Sequence, residues 1–82
     1  MSSPIRKASK VLVAARIHAT EVKLLHSFMR AGKEYKEEKP DAEIIEKESA
    51  QARACAKELN RLTGKSLDHV EWYKTIVEKY NA

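Results

Sequence analysis

Apolar residues recur every three or four positions along most of this chain, the period of a helix packed on one side. No stretch alternates apolar and polar residues between turn signals, so strands find no support. Ser3-Pro4 reads as a helix start, a serine cap with proline at the first helical position. No breaker follows until Gly32, which predicts a first helix over about 4–31, on the order of 40 Å long. The charged segment 33–39 either prolongs it or forms a loop, and Pro40 pushes Lys39 out of helical geometry. Asp41 is a good cap for a second helix over 41–63, with Glu43 in its first turn and Gly64 as a left-handed terminator. Ser66 is the expected cap of a third helix over 67–80. The pattern therefore predicts an all-α protein, a three-helix antiparallel bundle with a long first helix. Residues 1–3 form a tail and 4–82 a single helical domain.

The first helix carries two apolar stripes. Ala8, Val11, Ala15, Ala19, Val22, Leu25 and Met29 follow alternating three- and four-residue spacing and read as the core face. Val13, Ile17, Leu24, Phe28 and Ala31, with Thr20 among them, lie nearly opposite. Arg16, Lys23 and Arg30 recur every seven residues between the stripes as a basic ridge. The second helix has a thin apolar face, Ile45, Ala52, Cys55, Leu59 and Leu62, interrupted by Glu48 and flanked by Ile44. So lean a face is not expected to cover a second stripe. Val13, Ile17, Leu24 and Phe28 are accordingly expected to meet a partner, because large exposed apolar patches mark interaction sites. The third helix shows Val70, Tyr73, Val77 and Tyr80 on one face with Leu67, Trp72 and Ile76 beside them. Trp72 is a core-edge residue or a partner-facing anchor.

Composition agrees with short connections between helices: two glycines and two prolines in 82 residues. A chain of this size buries only roughly 60% of the surface its unfolded form exposes, which makes completion by dimerisation or by a partner attractive. Cys55 is the one cysteine, so no internal disulfide forms, and with no secretory leader a reducing, cytoplasmic setting is expected. No stretch approaches a membrane span. The net charge of +4 is uneven. Residues 1–40 hold nine basic and four acidic residues, and residues 41–82 hold seven and eight. The first twenty residues contain Arg6, Lys7, Lys10 and Arg16 and no acid, a pattern shared with mitochondrial import segments, which makes the matrix an alternative location.

Candidate chemistry is sparse. His18 and His26 lie about 12 Å apart along a helix axis, too far for one metal, and read as histidines at the core margin, as does His69. Gly64-Lys65-Ser66 lacks the glycine five positions earlier that a phosphate loop needs, since Leu59 is there. Cys55 reads as a small buried hydrophobe. No catalytic constellation, cofactor site or metal site is expected. Residues 59–73 partly fit a helix-turn-helix, but Lys65 sits where an apolar residue belongs, and Asp68, Glu71 and Glu78 on the reading helix repel phosphates. The expected function is a non-enzymatic protein-protein interaction module, a homodimer or a small accessory, regulatory or inhibitory subunit. It would associate through Val13, Ile17, Leu24, Phe28 and Trp72, steered by Arg16, Lys23 and Arg30. The alternative is a nucleic-acid-binding protein using Arg6, Lys7, Lys10, Arg16, Lys23 and Arg30.

Overall fold

A computed structural model describes the backbone of residues 4–81 and the side chains from Lys10 to Asn81. Ser3 and the tail 1–3 lie outside the described residues, as do the side chains of Arg6, Lys7 and Ala8. Three helices are present, and no strand occurs among the described residues. They are α1 (Pro4–Tyr35), α2 (Ala42–Thr63) and α3 (His69–Asn81).

α1 passes straight through Gly32, because an exposed glycine keeping ordinary helical dihedrals costs only about 1 kcal/mol, too little to end a helix flanked by good formers. It closes with two tightened turns, Lys36 N donating to Lys33 O (3.2 Å) and Glu37 N to Glu34 O (3.1 Å). The chain then reaches Asp41, whose carboxylate accepts from Glu43 N (2.9 Å) and caps α2. Asp41 N donates in turn to Glu34 Oε1 (3.0 Å), joining the end of α1 to the start of α2. Gly64 ends α2 in the left-handed conformation, φ 75°, with its N–H on Asn60 O (2.8 Å).

The third helix starts later than expected and on a different cap. Glu71 N donates to Asp68 Oδ1 (2.8 Å) and Asp68 N to Glu71 Oε1 (3.5 Å), a reciprocal box. Residues 65–68 stay outside any helix instead, with Leu67 held at both backbone polar groups by the Asn60 amide. Its Nδ2 donates to Leu67 O (2.8 Å), and its Oδ1 accepts from Leu67 N (3.0 Å) and Trp72 Nε1 (2.8 Å). The linker thus doubles back along α2 before α3 begins.

That return sets the topology. Glu34 meets Asp41 and Arg16 meets Glu58, so α2 runs antiparallel to α1. Phe28 stacks on Tyr73 with ring centroids 4.1 Å apart, and His18 meets Tyr80, so α3 also runs against α1. α2 and α3 therefore both run against α1 and point the same way, so of the expected three-helix antiparallel bundle the α2–α3 pair is not antiparallel. α1 packs chiefly on α2, and α3 lies as a short strap across both.

The core consists of Leu24, Ala52, Cys55, Ala56, Leu59, Trp72 and Ile76, with Ile17, Leu67 and Tyr73 packed at its edge. Leu24 is 0% exposed. The stripe expected to meet a partner is thus the inner face of α1, and the stripe expected to be core faces outward. Two physical reasons account for the inversion. The small side chains Ala52, Cys55 and Ala56 let α2 approach closely, so a lean face covers more than its bulk suggests. α3 then supplies the missing volume with Trp72 and Ile76. The inner stripe also holds Phe28, the largest apolar side chain of either stripe, which stacks on Tyr73 of α3.

Candidate functional site

α1 presents an uncovered apolar stripe on the side away from α2 and α3. Val11 is 67% exposed and Met29 56%, with Ala15 and Ala19 open between them and Val22 and Leu25 half-buried. The end of α3 meets α1 at His18 and Glu21, and the described side chains ahead of Ile17, Lys10 to Arg16, are exposed. Leu12 and Val13 are exposed there as well, beside Lys10 and Arg16. Of the residues expected at a partner surface, Leu24 and Trp72 are buried, Ile17 and Phe28 are half-buried against the core, and Val13 alone among the apolar ones is exposed. Their assignment to a partner is corrected accordingly: they hold the chain's own helices together.

The basic ridge faces the groove between α1 and α2. Arg16 Nε lies 3.2 Å from Glu58 Oε1, and Arg30 Nη1 lies 3.9 Å from Glu48 Oε1. Glu58 also accepts both arms of Arg61. The hydrogen bonds from Arg61, more than its charge or that of Arg16, hold the Glu58 carboxyl below its ordinary range. Arg16 and Arg30 thus link α1 to α2 at two levels of the groove, through exposed cations whose pairing is screened by solvent. Two of its three cations are turned toward internal carboxylates, which reduces the positive field open to a nucleic acid. Lys23 belongs to no ion pair among the described residues.

A polar cluster that sequence reasoning missed ties α3 to α1. Glu21 is 3% exposed, yet its carboxylate accepts from Lys79 Nζ (3.1 and 3.2 Å) and from Tyr80 Oη (3.0 Å). Since the Tyr80 hydroxyl proton goes to Glu21, His18 Nδ1 is the donor in its 2.7 Å bond to Tyr80 Oη. The carboxylate of Glu21 accepts the Lys79 bond that raises the ammonium's pKa; burial foremost, then Glu21, raises that of the Tyr80 phenol. One signal was available: Glu21 follows Ile17 by four residues and precedes Leu24 by three, placing an acid within the inner stripe.

The remaining candidates are dispersed. His18 is bonded to Tyr80, His69 tilts against Phe28 at 6.1 Å, and His26 lies exposed at the α1–α2 groove. No three metal-ligating side chains converge among the described residues. Burial pushes the Cys55 thiol above its ordinary pKa, disfavouring the thiolate a nucleophile needs. Two clefts open beside the core. One, of about 400 Å³, lies between α1 and α2 and is lined by polar and charged groups. The other, of about 260 Å³, is walled by Phe28, Ala31, Tyr35, Ile45 and Val70. No helix among the described residues is long and apolar enough to cross a membrane.

Fold and surface together define a three-helix unit whose longest helix is apolar on both sides and covered on one. No family model matches the chain, and no curated protein or solved structure matches it.

Proposed function

We propose that this chain is a non-enzymatic helical protein-protein interaction module, a small accessory or regulatory subunit that docks on a different protein through the outer face of α1. The observation carrying this reading is the stripe from Val11 to Met29, apolar at core-like spacing, with Val11, Ala15, Ala19 and Met29 exposed among the described residues. The occupant is an amphipathic helix with acidic flanks. Lys23, Arg30 and Lys33 border the stripe, and the first twenty residues hold no acid. A second copy would bring this basic border against its own like charges, whereas glutamates complement it. The mode is side-by-side helix packing with anchors at three- and four-residue intervals.

The test combines solution mass with a defined probe. By light scattering the chain alone is expected at its monomer mass of 9.3 kDa. By fluorescence anisotropy it is expected to bind a labelled four-heptad peptide carrying leucine at the seam and glutamate on the flanks. Ala15→Asp or Met29→Asp should abolish that binding while leaving the far-ultraviolet circular dichroism unchanged, because both sites are exposed. A stable dimer disrupted by the same substitutions would reassign the stripe to self-association. No binding by the wild type would remove the stripe as a docking face.

A further inference from the structure

The polar cleft between α1 and α2 has an imbalance of charge that the packing of the helices does not require. Lys23 and Arg30 reach it from α1 and Lys47 from α2, with His26 at its rim. Neither Lys23 nor Lys47 belongs to an ion pair among the described residues, and Arg30 has a single contact, 3.9 Å to Glu48. Three cations thus surround one carboxylate. On the same helices the other described arginines are paired: Arg16 and Arg61 converge on Glu58, and Arg53 holds Glu46 at 2.9 Å. Like charges gathered around a concave space raise the local potential and concentrate an anion there.

We propose that this cleft is a binding site for a compact phosphoryl anion, such as the diphosphate of a small molecule. Its volume of about 400 Å³ falls within the range of small-ligand sites. Lys23 and Lys47 approach from opposite walls, and the Arg30 guanidinium supplies planar donors suited to phosphoryl oxygens. Ser27 and Gln51 line the floor and add neutral hydrogen-bonding groups. The anion takes Arg30 from Glu48, whose carboxylate is the one unfavourable neighbour. A compact ligand fits better than a long polyanion for a positional reason. Along the groove one end is closed by the paired Glu58 cluster, and the outer side of α2 carries Glu43 and Glu46. A nucleic-acid backbone continuing along the groove toward Glu58 meets that carboxylate, already held by Arg16 and Arg61.

The experiment titrates inorganic pyrophosphate, with inorganic phosphate beside it, into the isotope-labelled full chain at low salt, following backbone amide signals. Saturable shifts confined to residues around Lys23, Arg30 and Lys47 are expected, stronger for pyrophosphate. Lys23→Gln and Lys47→Gln should each weaken binding by about fivefold, the scale of one partly exposed charge contact. Glu48→Gln should strengthen it, an opposite sign that general loss of structure cannot mimic. Absence of saturation at millimolar pyrophosphate, or insensitivity to all three substitutions, overturns the site. Tighter binding of a single-stranded oligonucleotide, with shifts spread along α1, overturns it in favour of a backbone track. Ala15 lies on the outer stripe about 12 Å along the axis from Lys23, so Ala15→Asp should leave pyrophosphate binding intact, which separates this site from the docking face.

Discussion

Replacing Leu24 by alanine tests which stripe of α1 faces inward. The side chain is fully buried between Ala52, Cys55, Ala56 and Leu59 on one side and Trp72 and Ile76 on the other. Truncation removes three heavy atoms from a site whose small neighbours sit on helix backbones and cannot move in to fill the space. A cost of about 3 kcal/mol follows, mid-range for a core leucine. The total stability of 82 residues is only roughly 4–12 kcal/mol, so the loss is a large fraction of it. The melting temperature should fall by about 12–24 °C, at about 4–8 °C per kcal/mol for a domain of this size. Met29→Ala on the outer stripe should stay within about 0.5 kcal/mol, as expected of an exposed site away from special features. Urea and thermal unfolding followed by circular dichroism, with Trp72 fluorescence as a second probe, measure both variants. Equal losses in the two, or a Leu24→Ala midpoint matching the wild type, would refute the assignment of inner and outer faces.

Three further outcomes follow from the local chemistry. Asn60→Leu strands the Trp72 indole N–H and both polar groups of Leu67, so a loss of about 2–3 kcal/mol and a shifted Trp72 emission are expected. Gly64→Ala forces a side chain into the left-handed region at a cost of about 1 kcal/mol, whereas Gly32→Ala, with open space around its Cβ position, should gain about 0.5–1 kcal/mol; denaturation midpoints should move in opposite directions. The pKa values of Lys79 and Tyr80 are raised on folding. Their contribution is therefore present below about pH 10 and lost as pH rises through the folded values. The lowered Glu58 carboxyl acts in the other direction, its contribution present above about 4.5 and lost as pH falls through the folded value. Unfolding midpoints against pH should show both limbs, and Glu21→Gln should reduce the Lys79 part of the alkaline one while leaving the part that burial of the Tyr80 phenol causes.

Much of the local structure was legible in the sequence. Asp41 and Gly64 bound α2 as expected, because a cap and a left-handed glycine act on hydrogen bonds within a few residues of themselves. The two apolar stripes of α1 were also readable, since helical period alone places them. Gly32 misled the first boundary because a glycine's helical cost is modest unless the chain needs a left-handed turn. Ser66 lost the third cap to Asp68, because Asn60 engages both backbone polar groups of Leu67 from seven residues away, beyond the span of any local pattern.

The sequence by itself determined three helices, their approximate limits and the presence of more apolar surface on α1 than one side can use. Those properties depend on hydrogen bonds and side-chain directions repeated within a few residues. Only the tertiary structure decided which stripe is inside, that α3 runs parallel to α2, and that Arg16, Arg30 and Glu21 find charged or polar partners within the chain. Each of these depends on groups far apart in sequence meeting in space. Burial of Leu24 required the small face of α2 and the bulk of α3 together, and the direction of α3 required one asparagine side chain to hold the backbone that precedes it.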